Sequence, residues 1–222
     1  IFFVIFAAIQ FYHKPQSHLM KIRSGVDAIS EKVGELRKAS SISDYAFGIL
    51  ISQMFQIGGL LNDSSLRNIV ASEIRKQGIA PLLYQTIKSH STSCESGESQ
   101  IIIQVSLKFL HDLTAFSNGF KADIESLTKV YSNCIDIIEI DDLVFSVLNA
   151  YIHKAKNLTL LNGITKPIVK AILRDGNFGP WNLGPMKFFT YWTTISNLIP
   201  EDKENICRFV DFSSKNQDGW KS

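Results

Sequence analysis

Five histidines (His13, His18, His90, His111, His153) and three cysteines (Cys94, Cys134, Cys207) are the side chains of this 222-residue chain best suited to nucleophilic, proton-relay or metal chemistry. Their spacing does not favour any of the three. No His-Glu-x-x-His run or paired-cysteine spacing offers a zinc site, and no Gly-x-Ser-x-Gly elbow offers an activated serine. Three widely separated cysteines fall short of a disulfide framework, and each is read as a small buried apolar side chain. That usage points to a reducing compartment, cytosol or nucleus. His111-Asp112 has the residue types for a proton relay, but adjacent helix positions diverge by about 100°, so direct contact is not expected. Gly176, Gly179 and Gly184 lack the Gly-Lys-Ser/Thr ending of a phosphate loop. Glu139-Ile140-Asp141-Asp142 is the densest acidic spot, and it suits the start of the helix that follows, where carboxylates meet the exposed N–H groups. No metal, no cofactor and no enzymatic activity are expected.

Charge narrows the partners. Twenty-three basic and twenty-one acidic side chains leave a net +2, too little field to favour nucleic acid or an anionic membrane. Lys154, Lys156, Lys166, Lys170 and Arg174 form a loose group without interleaved aromatics, and are read as a solvated face. The opening run Ile1 to Ile9 is nine apolar residues, against the roughly 20 a membrane span requires. It is read as a buried first helix, with the stump of a truncated hydrophobic segment as the alternative. Ile1 is not a natural start, so the chain is read as a fragment or processed product, and membrane attachment would need sequence upstream of it. Asn62-Asp63-Ser64 and Asn157-Leu158-Thr159 match the N-glycosylation triplet. With no secretory signal in view, both are read as coincidence.

Helical periodicity dominates the elements that would position any site. Leu19, Ile22, Val26, Ile29, Val33 and Leu36 form one amphipathic stripe over 17–39, with Pro15 at the helix start. Ser43-Asp44 caps a helix at about 45–58, ended by Gly58-Gly59. Asp63-Ser64-Ser65 precedes a helix at about 65–77, stopped by Gly78, and Pro81 starts the next. Residues 89–100 are serine-rich and read as a solvated loop. Further helices are expected at 101–115, 119–133, 142–154, 163–174, 186–198 and 201–212. No alternating run supports a sheet, so the chain is read as all-α.

A repeat underlies these helices. Gln77-Gly78, Asn118-Gly119 and Asn162-Gly163 sit at equivalent junctions spaced 41 and 44 residues apart, and each precedes an apolar helix. Gly78-Ile79-Ala80-Pro81-Leu82-Leu83 and Ile195-Ser196-Asn197-Leu198 resemble the junction and third-helix strings of the armadillo/HEAT-type repeat. The resemblance runs over about 45–212 and implies a right-handed superhelical α-solenoid of about four units over 41–222, with residues 1–40 as an N-terminal helical cap. Glycine permits the left-handed turn between helices, and the apolar faces are buried only when units stack. Two departures stand out. Lys121-Ala122-Asp123 replaces the proline turn, and the step from helix 45–58 to helix 101–115 stretches to 56 residues.

The resemblance implies a groove lined by the third helices, and a binding function. Armadillo proteins that carry extended basic peptides read them with a Trp/Asn ladder. The asparagine places here hold Asp112, Ala150 and Asn197, and the tryptophan places hold Lys108, Ser146 and Thr193. Only Asn197 keeps the family residue, so import-type peptide reading is not expected. The aromatic cluster around Trp181, Phe189 and Trp192 is the second candidate surface. Lys108, Asp112, Trp181, Phe189, Trp192 and Asn197 are therefore the expected protein-binding residues. The expected function is a non-enzymatic adaptor or scaffold subunit docking a helix or extended peptide of a larger complex. A regulator of a chaperone or GTPase is the alternative, with an enzyme or a membrane-anchored fragment behind it.

Overall fold

The computed structural model describes residues 2–38, 44–134 and 137–155. Seven α-helices and no strand lie among them. Among the described residues no helix is long and apolar enough to cross a membrane. The chain divides into two compact units at Leu83–Tyr84. The expected helices at 163–174, 186–198 and 201–212 lie outside the described residues.

The first unit holds α1 (Phe2–Lys38), α2 (Asp44–Asn62) and α3 (Arg67–Lys76). The stripe on α1 is buried as its spacing predicts: Ile22, Val26, Ile29, Val33 and Leu36 are each at most 4% exposed. Pro15 does not start this helix but lies inside it, and the backbone stays helical on both sides. Gly25 lets α2 close in, since a Cβ there would stand 2.9 Å from both Gln53 Oε1 and Ile57 Cδ1. The helix expected to stop at Gly58-Gly59 runs on to Asn62. Two helical glycines cost about 1 kcal/mol each. Leu61, one turn further along the buried row Leu50, Met54, Ile57, is fully buried and offsets that by about 1.5–3 kcal/mol. Arg67 then closes α2 by donating from Nε to the Leu61 carbonyl at 2.8 Å. Arg23 meets Glu73 at 3.5 Å and Gln77 donates to Asp27 at 2.8 Å. Both positions advance together, so α1 and α3 run parallel.

The boundary between the units falls within α4 (Ile79–His90). Gly78 precedes it with φ +61°, and Gly119 holds φ +85°, the left-handed turns that glycine makes without a Cβ penalty. The second unit continues through α5 (Gly97–Phe116), α6 (Ile124–Asn133) and α7 (Ile138–Ala155). α6 starts later than its apolar pattern suggests, because Asp123 caps it by accepting from the Ser126 N–H at 3.1 Å. Glu139 and Asp141 occupy the first turn of α7, where the dipole favours them. Among the described helices the most extensive packing is between α5 and α7. Lys154, at the end of α7, donates to the Ser117 carbonyl at the end of α5 at 2.8 Å. These two helices therefore run parallel, with α6 returning the chain between them.

The serine-rich stretch departs most from expectation. It is exposed over much of its length, at residues 89, 92, 93 and 95–98, but it is not an irregular loop: a 3-10 turn fills Ser91–Ser93 and α5 begins at Gly97. Ser91, Cys94 and Ser99 are buried. The cysteines depart with it. Cys94 and Cys134 are joined in a disulfide with Cα atoms 5.4 Å apart, so two of the three are not merely apolar filler.

Candidate functional site

α5 buries Ile102, Ile103, Ser106, Leu107, Phe109, Leu110, Leu113 and Thr114. That inward face leaves Ile101, Val105, Lys108 and Asp112 on one outer stripe, spaced 4, 3 and 4 as helical geometry requires. Ile101 is 45% exposed, unusually open for its size. Lys108 Nζ lies 3.0 Å from Asp112 Oδ1. His111 Nδ1 lies 3.1 Å from the same oxygen and donates to it when that nitrogen carries the proton. Contact between His111 and Asp112 was not expected from the angle between adjacent positions. The long reach of the imidazole and the single shared oxygen overcome the divergence.

Asp112 is mostly buried, with 13% of its side chain exposed. Burial pushes its pKa up, but hydrogen bonds from His111 and Lys108 outweigh this and hold the carboxyl below its ordinary value. A lowered folded-state pKa contributes stability above the unfolded pKa and loses it as pH falls through the folded one. Asp112→Asn is therefore expected to cost about 0.5 kcal/mol near neutral pH, the size of an (i, i+4) helix pair. The difference from wild type should vanish in acid. Urea midpoints measured across that range decide it, and a cost that persists in acid would assign Asp112 a packing role instead.

The second assembly surrounds the disulfide. Cys94 follows the 3-10 turn and Cys134 caps the end of α6. Asn133 Nδ2 donates to Ser91 Oγ at 3.0 Å, and Ser91 Oγ donates to the Lys88 carbonyl at 2.8 Å. Gln100 Nε2 donates to the Cys94 carbonyl at 2.9 Å. An open recess of about 710 Å³ lies here, walled by residues 91–96 with Lys129 and Asn133. Beside it, His90 Nδ1 is 3.3 Å from Ser99 Oγ. Burial lowers the His90 pKa, partly opposed by Glu98. Hydroxyls dominate the wall, with the Asn133 amide beside them and Glu95 and Lys129 the charged members, so the recess can hydrogen-bond a partner. Among the described residues no group of three or more His, Cys, Asp or Glu could hold a metal ion.

The sites cannot be read from kinship. No protein-family model, curated protein or solved structure matches the chain. Of the residues expected to bind a partner, Lys108 and Asp112 are brought together on α5, whereas Trp181, Phe189, Trp192 and Asn197 lie outside the described residues. Ile101 and the Cys94–Cys134 pair were not anticipated, and His111 was weighed only as a proton-relay partner of Asp112. For the cysteines a signal was present: their separation of 40 residues nearly equals the spacing of Gly78 and Gly119.

Proposed function

We propose that the chain is a non-enzymatic protein-binding adaptor of armadillo/HEAT-like solenoid build, docking a helix or extended peptide of a larger complex. The observation that carries this reading is the outer stripe of α5. Ile101 and Val105 offer apolar contact, and the Lys108–Asp112–His111 group offers charge and hydrogen bonding beside it. Aliphatic anchors next to a fixed polar group are what a docked helix or strand recognises. The repeat supports it too. α5 and α7 run parallel with one helix between them, and several cross-contacts join residues about one period apart: Lys88 with Glu125, Ser91 with Asn133, Ser117 with Lys154 and Cys94 with Cys134. Stacked units of one period produce such offsets.

The compartment is revised in the same reading. Disulfides persist where the milieu is oxidising and are rare in cytosol and nucleus. We therefore take the chain to fold in an oxidising compartment in place of the cytosolic or nuclear one that cysteine number suggested.

The test is capture of the intact protein's partner by cross-linking in its native source, compared with Ile101→Asp and Lys108→Glu. Circular dichroism would check that both variants fold. Loss of affinity by about tenfold or more in each, equivalent to 1.4 kcal/mol, supports the stripe as the docking face. Wild-type affinity in both folded variants would remove it.

A further inference from the structure

We infer that Asn62 is an N-glycosylation site. The inference rests on the oxidising compartment proposed above, because the sugar is attached only to chains that pass through such a compartment. The triplet Asn62-Asp63-Ser64 supplies the acceptor pattern. Composition left it without context. The Cys94–Cys134 disulfide now supplies that context from a different part of the chain.

Local geometry suits the modification. Asn62 is the last residue of α2, and Asn62, Asp63, Ser64 and Ser65 are all exposed. The hydrogen bonds of the turn run through Asp63, whose Oδ1 accepts from the Ser65 N–H at 2.8 Å and from Ser65 Oγ at 2.6 Å. Arg67 holds the backbone from beneath, donating to the Leu61 carbonyl at 2.8 Å and the Asn62 carbonyl at 3.3 Å. Neither anchor uses the Asn62 amide or the Ser64 hydroxyl, the two groups an oligosaccharide-transferring enzyme must engage. A glycan on Asn62 would extend into solvent without disturbing Leu61, which is fully buried next to it.

In the reaction, the Asn62 amide nitrogen attacks the anomeric carbon of a sugar carried on a polyisoprenyl diphosphate. A C–N bond forms, the C–O bond to the diphosphate breaks, and the diphosphate leaves with that electron pair. The amide loses one proton to a base on the enzyme. The disulfide forms separately: two thiols give up two electrons and two protons to a disulfide-bearing oxidant.

The experiment uses the protein purified from its native source, alkylated without reductant, then deglycosylated with a peptide N-glycosidase in heavy-oxygen water and mapped by mass spectrometry. The expected result is Asn62 converted to heavy-oxygen-labelled aspartate, with Cys94 and Cys134 protected from alkylation. Asn62→Gln and Ser64→Ala should each abolish the label and the matching gel shift, and Ser64→Thr should retain both. An unlabelled Asn62 peptide alongside an intact disulfide would overturn the glycosylation site alone. Alkylated Cys94 and Cys134 would overturn the oxidising compartment, and the site with it.

Discussion

Cys94→Ser combined with Cys134→Ser is expected to destabilise the second unit by about 4 kcal/mol. The bridge closes a loop 40 residues apart in sequence, and closure of that length in the unfolded chain carries about 4 kcal/mol of entropy. Ordinary domains have only about 5–15 kcal/mol in total. The double variant should therefore lose most of its protection from hydrogen exchange in α5, α6 and α7, and wild type in reductant should match it. A loss under about 1 kcal/mol would mean that the unfolded chain already holds the two cysteines close together, and the entropic account would fail.

Phe145→Ala should rank next, at about 3–5 kcal/mol. Phe145 is 1% exposed on α7. It meets Tyr131 of α6 edge to face, with ring centroids 5.4 Å apart at 76°. Truncation removes the buried ring and leaves a cavity between elements that cannot collapse without shifting α7. Phe145→Leu should cost clearly less, because most of the volume is kept. A double-mutant cycle with Tyr131→Leu should isolate about 0.5–1.5 kcal/mol for the ring pair itself. Unfolding in denaturant gives all three values, and equal costs for the leucine and alanine variants would contradict a cavity mechanism.

What could be read from the sequence was local. The buried row Ile22, Val26, Ile29, Val33, Leu36 follows from 3-4 spacing alone, because a helix converts that spacing into one face. Gly78 and Gly119 were recognisable because only glycine adopts their positive φ without strain. The misreadings arose where packing outweighs local preference. Gly58 and Gly59 stay helical because Leu61 beyond them is buried, and Ser91 and Cys94 are buried because Asn133 and Cys134, some forty residues away, hold them. The candidate site divides the same way. Lys108 and Asp112 share a face by spacing, whereas the His111 contact depends on side-chain rotation that spacing does not encode.

The bridge also makes a closed covalent ring of everything from Cys94 to Cys134, which includes all of α5 and α6. One accessible stretch of it is the connection around Asn118, Gly119 and Lys121, all exposed. A protease that cuts there severs the polypeptide but not the molecule. The piece bearing α5 and the piece bearing α6 and α7 stay tethered, and the outer stripe of α5 stays joined to its neighbours through a nick that would otherwise split the chain in two.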